Sequence, residues 1–136
     1  MGAWQCPDCG REFARPNQWH SCLRSTVENH FRGRNPILRE TYDELIRKLE
    51  AIGRLNVDAV KTSIILGSHA HFAIVYPYQR HLVLEFLADH KIQSERIHRS
   101  QALGTARVSH FVKLVEPADV DDELLNWLAQ SYSLQS

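Results

Sequence analysis

At 136 residues the chain has room for one sizeable core and a small extra module, which excludes two full-sized domains. Its 16 Lys and Arg balance 16 Asp and Glu, so the overall field neither draws it to polyanions nor repels it, and an electrostatic partner must be met by a local patch. Three cysteines cannot all pair within one chain and no apolar leader run opens the sequence; the expectation is a reducing, cytoplasmic setting. The longest apolar runs, VLEFLA and SIILG, suit buried strands and fall well short of a membrane span.

In chain order, the first feature is CPDCGREFARPNQWHSC, which holds every cysteine of the chain. Cys6-x2-Cys9 presents two thiolates on one tight turn, and His20-x-Cys22 returns an imidazole and a third sulfur, a donor set suited to a tetrahedral structural zinc. Pro7 stiffens the turn, Gly10 relieves the backbone after it, and Trp4 and Phe13 supply apolar packing. A redox dithiol shares the Cys-x2-Cys spacing, but it would precede a helix in a βαβ pattern, and none follows. Four protein ligands leave no open coordination position, which argues against a catalytic metal. The His20-x-Cys22 spacer is short, so His30 stands as an alternative fourth ligand. Arg11, Arg15, Arg24, Arg32 and Arg34 lie in or just after this segment, but the nearby acids and metal-bound thiolates offset them, leaving no net positive patch.

Composition changes near Gly33 from turn-rich to periodic, dividing the chain into a zinc module, residues 1–33, and a main domain, residues 34–136. The main domain opens with a helix capped by Asn35, with Pro36 at its first position, an apolar stripe of Leu38, Tyr42, Leu45, Ile46, Leu49 and Ile52, and a stop at Gly53. The period then changes to two: Lys61 to Leu66, His69 to Tyr76, His81 to Leu87 and Ala106 to Val115 read as strands. The segment between Ile92 and Gly104 reads as a basic mobile loop, with a turn or short helix as the alternatives. A second helix is expected from about Asp119 to Tyr132, its first turn acidic and its stripe formed by Val120, Leu124, Trp127, Leu128 and Ser131. The predicted fold is α+β, an antiparallel sheet of about four strands with two flanking helices in the order α-β-β-β-β-α, preceded by a zinc knuckle. Both helices should cover one sheet face and leave the other open.

The run from Arg54 to Lys113 carries eight Lys and Arg against Asp58, Glu85, Asp89 and Glu95, whereas the stretch after Lys113 has acids and no Lys or Arg. Strand alternation gathers His69, His71, His81, Glu85, Arg107, Lys113 and Lys61 on one face, opposite Ala70, Phe72, Ile74 and Tyr76. With Arg99, the set His69, His71, His81, Arg107 and Lys113 is the candidate surface for an anionic ligand. A solvated polar face is the plainer account of the same alternation. His110 falls among apolar neighbours and reads as a hydrogen-bonded core histidine.

Taken together, WQCPDCGREFARPNQWHSC, TYDELIRKLEAIG, FAIVYP and RVSHFVKLVEPADVDDELLNWLAQSY resemble the small, mostly bacterial proteins grouped as domain of unknown function 5655. By that resemblance Cys6, Cys9, His20 and Cys22 hold the positions of the family's metal ligands; no activity comes with it. No nucleophile with a base, no paired acids in a cleft and no dinucleotide fingerprint appears. The expectation is a binding module for an anionic ligand or nucleic acid. A protein-interaction or adaptor module and an enzyme using the histidine-bearing face are the alternatives.

Overall fold

The computed structural model describes residues 4–5, 12–14 and 25–134. Two short strands, β1 (Trp4–Gln5) and β2 (Glu12–Phe13), pair antiparallel. Next comes α1 (Val27–Phe31), a single turn capped by the Thr26 hydroxyl, which accepts from the Asn29 amide at 3.1 Å. α2 (Pro36–Ile52) has the predicted bounds, with Asn35 accepting the Ile37 amide at its start and the Gly53 amide donating to Leu49 at its end. The strands β3 (Asn56–Ala59), β4 (Ile64–Gly67), β5 (His71–Pro77), β6 (Leu82–Ala88), β7 (Ile97–Leu103) and β8 (Arg107–Leu114) follow. A 3-10 turn, Pro117–Asp119, leads into α3 (Asp122–Leu134).

All six later strands form one antiparallel sheet in the order β3-β4-β5-β6-β8-β7. The expected fold class holds at the level of an antiparallel sheet with helices, but the sheet has six strands rather than four, and the described residues form three α-helices rather than two. Both added strands are edges. β3 is four residues long and β7, IHRSQAL, is largely exposed, so neither carries the apolar alternation that marks a strand with a buried face. The segment read as a loop or short helix is therefore mostly the edge strand β7, held to β8 along its length. α3 also begins later than expected. Asp121, not Asp119, accepts the Leu124 amide at 3.0 Å and caps it, while Asp119 accepts the amides of Val115 and Glu116.

One core lies between the helices and one sheet face. α2 contributes Leu38, Tyr42, Leu45 and Leu49, and α3 contributes Leu124 and Leu128. Ile64, Leu66, Val75, Leu84, Phe86, Val112 and Leu114 meet them from the sheet. Phe31 of α1 joins the same cluster, and His30 beside it is buried, donating from Nε2 to the Val60 carbonyl at 2.6 Å. Each fully buried Leu or Phe contributes roughly 1.5–3 kcal/mol relative to exposure, so this single layer carries most of the stabilisation.

The pairing of β4 with β5 shifts between Leu66 and Gly67, so that Leu66 faces Ala73 while Gly67 faces His71. The extra residue is Phe72, and both Phe72 and Ala73 are buried, as a bulge requires when it turns two successive side chains to one side. Beyond it the alternation is inverted relative to the sequence expectation. Ala73 and Val75 point to the core, while Ile74 and Tyr76, expected there, lie on the open face.

Candidate functional site

Strand register defines the open face row by row. Ile65, Ile74, Glu85, Phe111 and Arg99 stand side by side across β4, β5, β6, β8 and β7. Tyr76, Val83 and Lys113 form the next row toward the β5–β6 turn, and Leu87, Ser109 and Gln101 the row on the other side. Every residue of these rows belongs to the alternation class opposite the core, which is why so many polar and aromatic side chains share one surface.

Glu85 sits in the middle of this surface. The Tyr76 hydroxyl donates to its Oε1 at 2.8 Å and the Ser109 hydroxyl donates to its Oε2, so two diagonal neighbours fix the carboxylate from opposite sides. Burial first, and the adjoining Glu85 carboxylate next, push the Tyr76 phenol up to about 12, which keeps it a hydrogen-bond donor at any ordinary pH. Beside Glu85 the Arg99 guanidinium lies over the Phe111 ring, 4.9 Å from its centroid, and hydrogen-bonds Gln101. His98, the extra residue where β7 pairing shifts, stands 6.4 Å from Phe111. Tyr78 and His81 stack at 5.1 Å at the β5–β6 turn. The His81 imidazole is held below its ordinary value, first by burial and then by Lys113 and His98, so it is neutral at neutral pH. Tyr76, Tyr78, Glu85, His98, Arg99 and Phe111 border a shallow depression of about 410 Å³, within the size range of small-ligand sites.

Of the residues singled out from sequence, His71, Arg99, Arg107 and Lys113 lie on the open face, but they do not form one cluster. His71 and Arg107 stand toward one end of the sheet, paired with Gly67 and Leu103, whereas Lys113 lies with Tyr76 toward the other. His69 is in the β4–β5 connection and His81 in the β5–β6 turn, outside the strands. Among the described residues no group of three or more His, Cys, Asp or Glu could hold a metal ion. The zinc ligands predicted from spacing, Cys6, Cys9, His20 and Cys22, lie outside the described residues. The residues that sequence reading did not single out include Tyr76, Tyr78, His98, Ser109 and Phe111. Aromatic residues flanking the Pro77 turn were the available signal, but the bulge hid their face.

Not every basic residue is free to meet a ligand. Arg96 donates to Asp121 at 2.7 Å, to Glu123 at 3.3 Å and to the Asp119 carbonyl at 2.7 Å, and lies over Trp127. The acidic start of α3 is thus engaged by Arg96 within the chain. His110 is buried as expected, stacked on Phe86 with Nε2 accepting the Ile92 amide at 2.9 Å.

The fold and this surface define a class: an α+β protein whose antiparallel sheet is covered by helices on one face and presents a polar, aromatic-bearing face on the other. The family model described as Domain of unknown function (DUF5655) matches residues 27–135, and the chain belongs to that family. Comparison with curated proteins and with solved structures found no match.

Proposed function

We propose that the open sheet face binds an anionic partner, single-stranded nucleic acid in particular, and that the protein is a binding module. The observation that carries this reading is the alternation of aromatic and basic side chains on one sheet face: Tyr76, Tyr78 and Phe111 interleaved with Arg99 and Lys113. Rings give bases a stacking platform and cations meet phosphates, the two elements that single-strand binders combine. The near-zero net charge of the chain is no obstacle, because Arg96 draws the acids at the start of α3 to its own side chain, away from Arg99 and Lys113.

The test is fluorescence anisotropy with labelled single-stranded oligonucleotides across a salt series. Binding that weakens as salt rises, and weakens further in Arg99→Ala and Lys113→Ala, supports the reading. Absence of binding at low salt overturns it; a salt-insensitive protein complex would favour the adaptor alternative instead.

The donor set Cys6, Cys9, His20 and Cys22 is proposed to hold one structural zinc. Its support is the spacing and chemistry of the sequence: three soft thiolates and an imidazole, with no open position for water. Its role would be to fold the N-terminal segment that precedes α1.

A further inference from the structure

We propose that the open face prefers guanine, and that Glu85 reads the base. This inference rests on the nucleic-acid reading of the face and specifies which base it takes. A carboxylate at the centre of a surface whose neighbours are cationic is out of place for phosphate binding, since it repels the strand backbone. It is nevertheless held there by two hydroxyl donors, Tyr76 at Oε1 and Ser109 at Oε2. Each carboxylate oxygen has two acceptor sites, so one remains on each oxygen after those bonds are made. Two parallel acceptors at fixed spacing match two adjacent donors.

Among the bases only guanine offers such a pair on its Watson–Crick edge, the N1–H and the exocyclic N2 amine. Adenine and cytosine set one donor beside an acceptor, and uracil and thymine set one donor between two acceptors, which a carboxylate repels. The neighbouring groups fit the rest of a nucleotide. Phe111 pairs directly with Glu85 across β6 and β8, so a base that displaces the Arg99 guanidinium from that ring turns an edge toward the carboxylate. The displaced Arg99, on its long flexible side chain, and Lys113 are placed for the phosphates. The occupant is a strand rather than a free nucleotide, because Phe111 stands level with Glu85 and Tyr78 level with His81, four residues or roughly 13 Å farther along the sheet, more than one base spans.

The experiment measures binding of labelled rUUGUU, rUUAUU, rUUCUU and rUUUUU, together with the inosine analogue, which keeps N1–H and lacks the N2 amine. The expected result is about tenfold tighter binding of the guanine strand than of the others, the scale of one bidentate base contact, with inosine losing most of that preference. In Glu85→Gln the ratio of guanine to uracil affinity should fall toward one; the inosine comparison uses the unaltered protein and does not depend on how that variant folds. Equal affinity for all strands overturns guanine reading and leaves the nucleic-acid reading standing. No binding of any strand overturns both. GMP binding as tightly as the guanine strand overturns the strand as occupant and leaves a mononucleotide site.

Discussion

The Ser131 hydroxyl on α3 donates to the Phe72 carbonyl at 3.2 Å and accepts the Leu87 amide at 3.2 Å, where the pairing of β5 with β6 stops at Ala73 and Phe86. A bulge strands backbone groups that the ladder would otherwise satisfy. One helix side chain here serves both, and so ties α3 to the sheet at the point where β5 changes face. Ser131→Ala leaves a buried carbonyl and a buried amide without partners and should cost about 1–3 kcal/mol. Urea denaturation checks it: a midpoint equal to that of the unaltered protein would mean that the two groups find other partners.

Gly67 stands at the same irregularity. A Cβ there would lie 2.9 Å from the Ala70 carbonyl oxygen, a backbone atom that moves only with the β4–β5 connection. Gly67→Ala should therefore destabilise by about 1–3 kcal/mol, the usual cost of forcing atoms into a filled space, read as a lowered thermal midpoint. Gly104→Ala is a useful contrast, because its Cβ would meet nothing and only the positive φ of 69° opposes it.

The His110 imidazole is pushed below the ordinary value, first by burial, with the nearby His90 and Lys91 charges opposing protonation further. Protonation would also end the bond its Nε2 accepts from Ile92. The folded state then binds fewer protons than the unfolded state, so stability is full above about pH 6.5 and declines as pH falls from there through the folded pKa. His81 adds a contribution of the same sign. Unfolding free energies at pH 7.5 and pH 5 should show the decline, and His110→Gln, which keeps an acceptor for Ile92 without a titrating ring, should flatten it.

If Arg99 neutralises one phosphate, Arg99→Ala should reduce the slope of log affinity against log salt by about 0.7–0.9 and weaken binding to all strands alike. Arg47→Ala, an exposed residue of α2 paired with Glu44 on the far side of the sheet, should leave the slope unchanged. Equal slopes in all three proteins would remove Arg99 from the interface.

Elemental analysis of protein purified without added metal should find one zinc per chain, lost in Cys9→Ser. Retention of zinc by that variant would exclude Cys9 as a ligand. Absence of zinc from the unaltered protein would return Cys6 and Cys9 to the redox alternative.

What could be read from sequence follows the range of the interactions involved. α2 was legible to the residue because its signals are local: Asn35 and Pro36 at one end, Gly53 at the other, and an apolar stripe between. β4, β5, β6 and β8 were legible because each has one buried face and therefore alternates. β3 and β7 have no such face over most of their length, and a polar edge strand looks like a loop until its backbone partner is known. The basic character of Arg99, Arg107 and Lys113 was legible, but not that Arg107 and Lys113 stand toward opposite ends of the sheet. The way Tyr76 and Ser109 grip Glu85 was not, since it depends on which residues stand diagonally across three strands.

By itself, the sequence determined the class of the fold, the core stripe of each long helix, the basic character of the middle segment and the concentration of thiols at the start. The tertiary structure decided which face of β5 carries Tyr76, because one bulged residue, Phe72, inverts the alternation and no local pattern encodes a bulge whose stranded carbonyl is satisfied 59 residues away by Ser131. It also decided that Arg96 faces the acids of α3 while Arg99 faces the open surface. Two arginines close in sequence take different roles because Arg96 lies in the turn before β7, against α3, while Arg99 lies within the strand opposite Phe111, and such a pairing is set only when the strands meet.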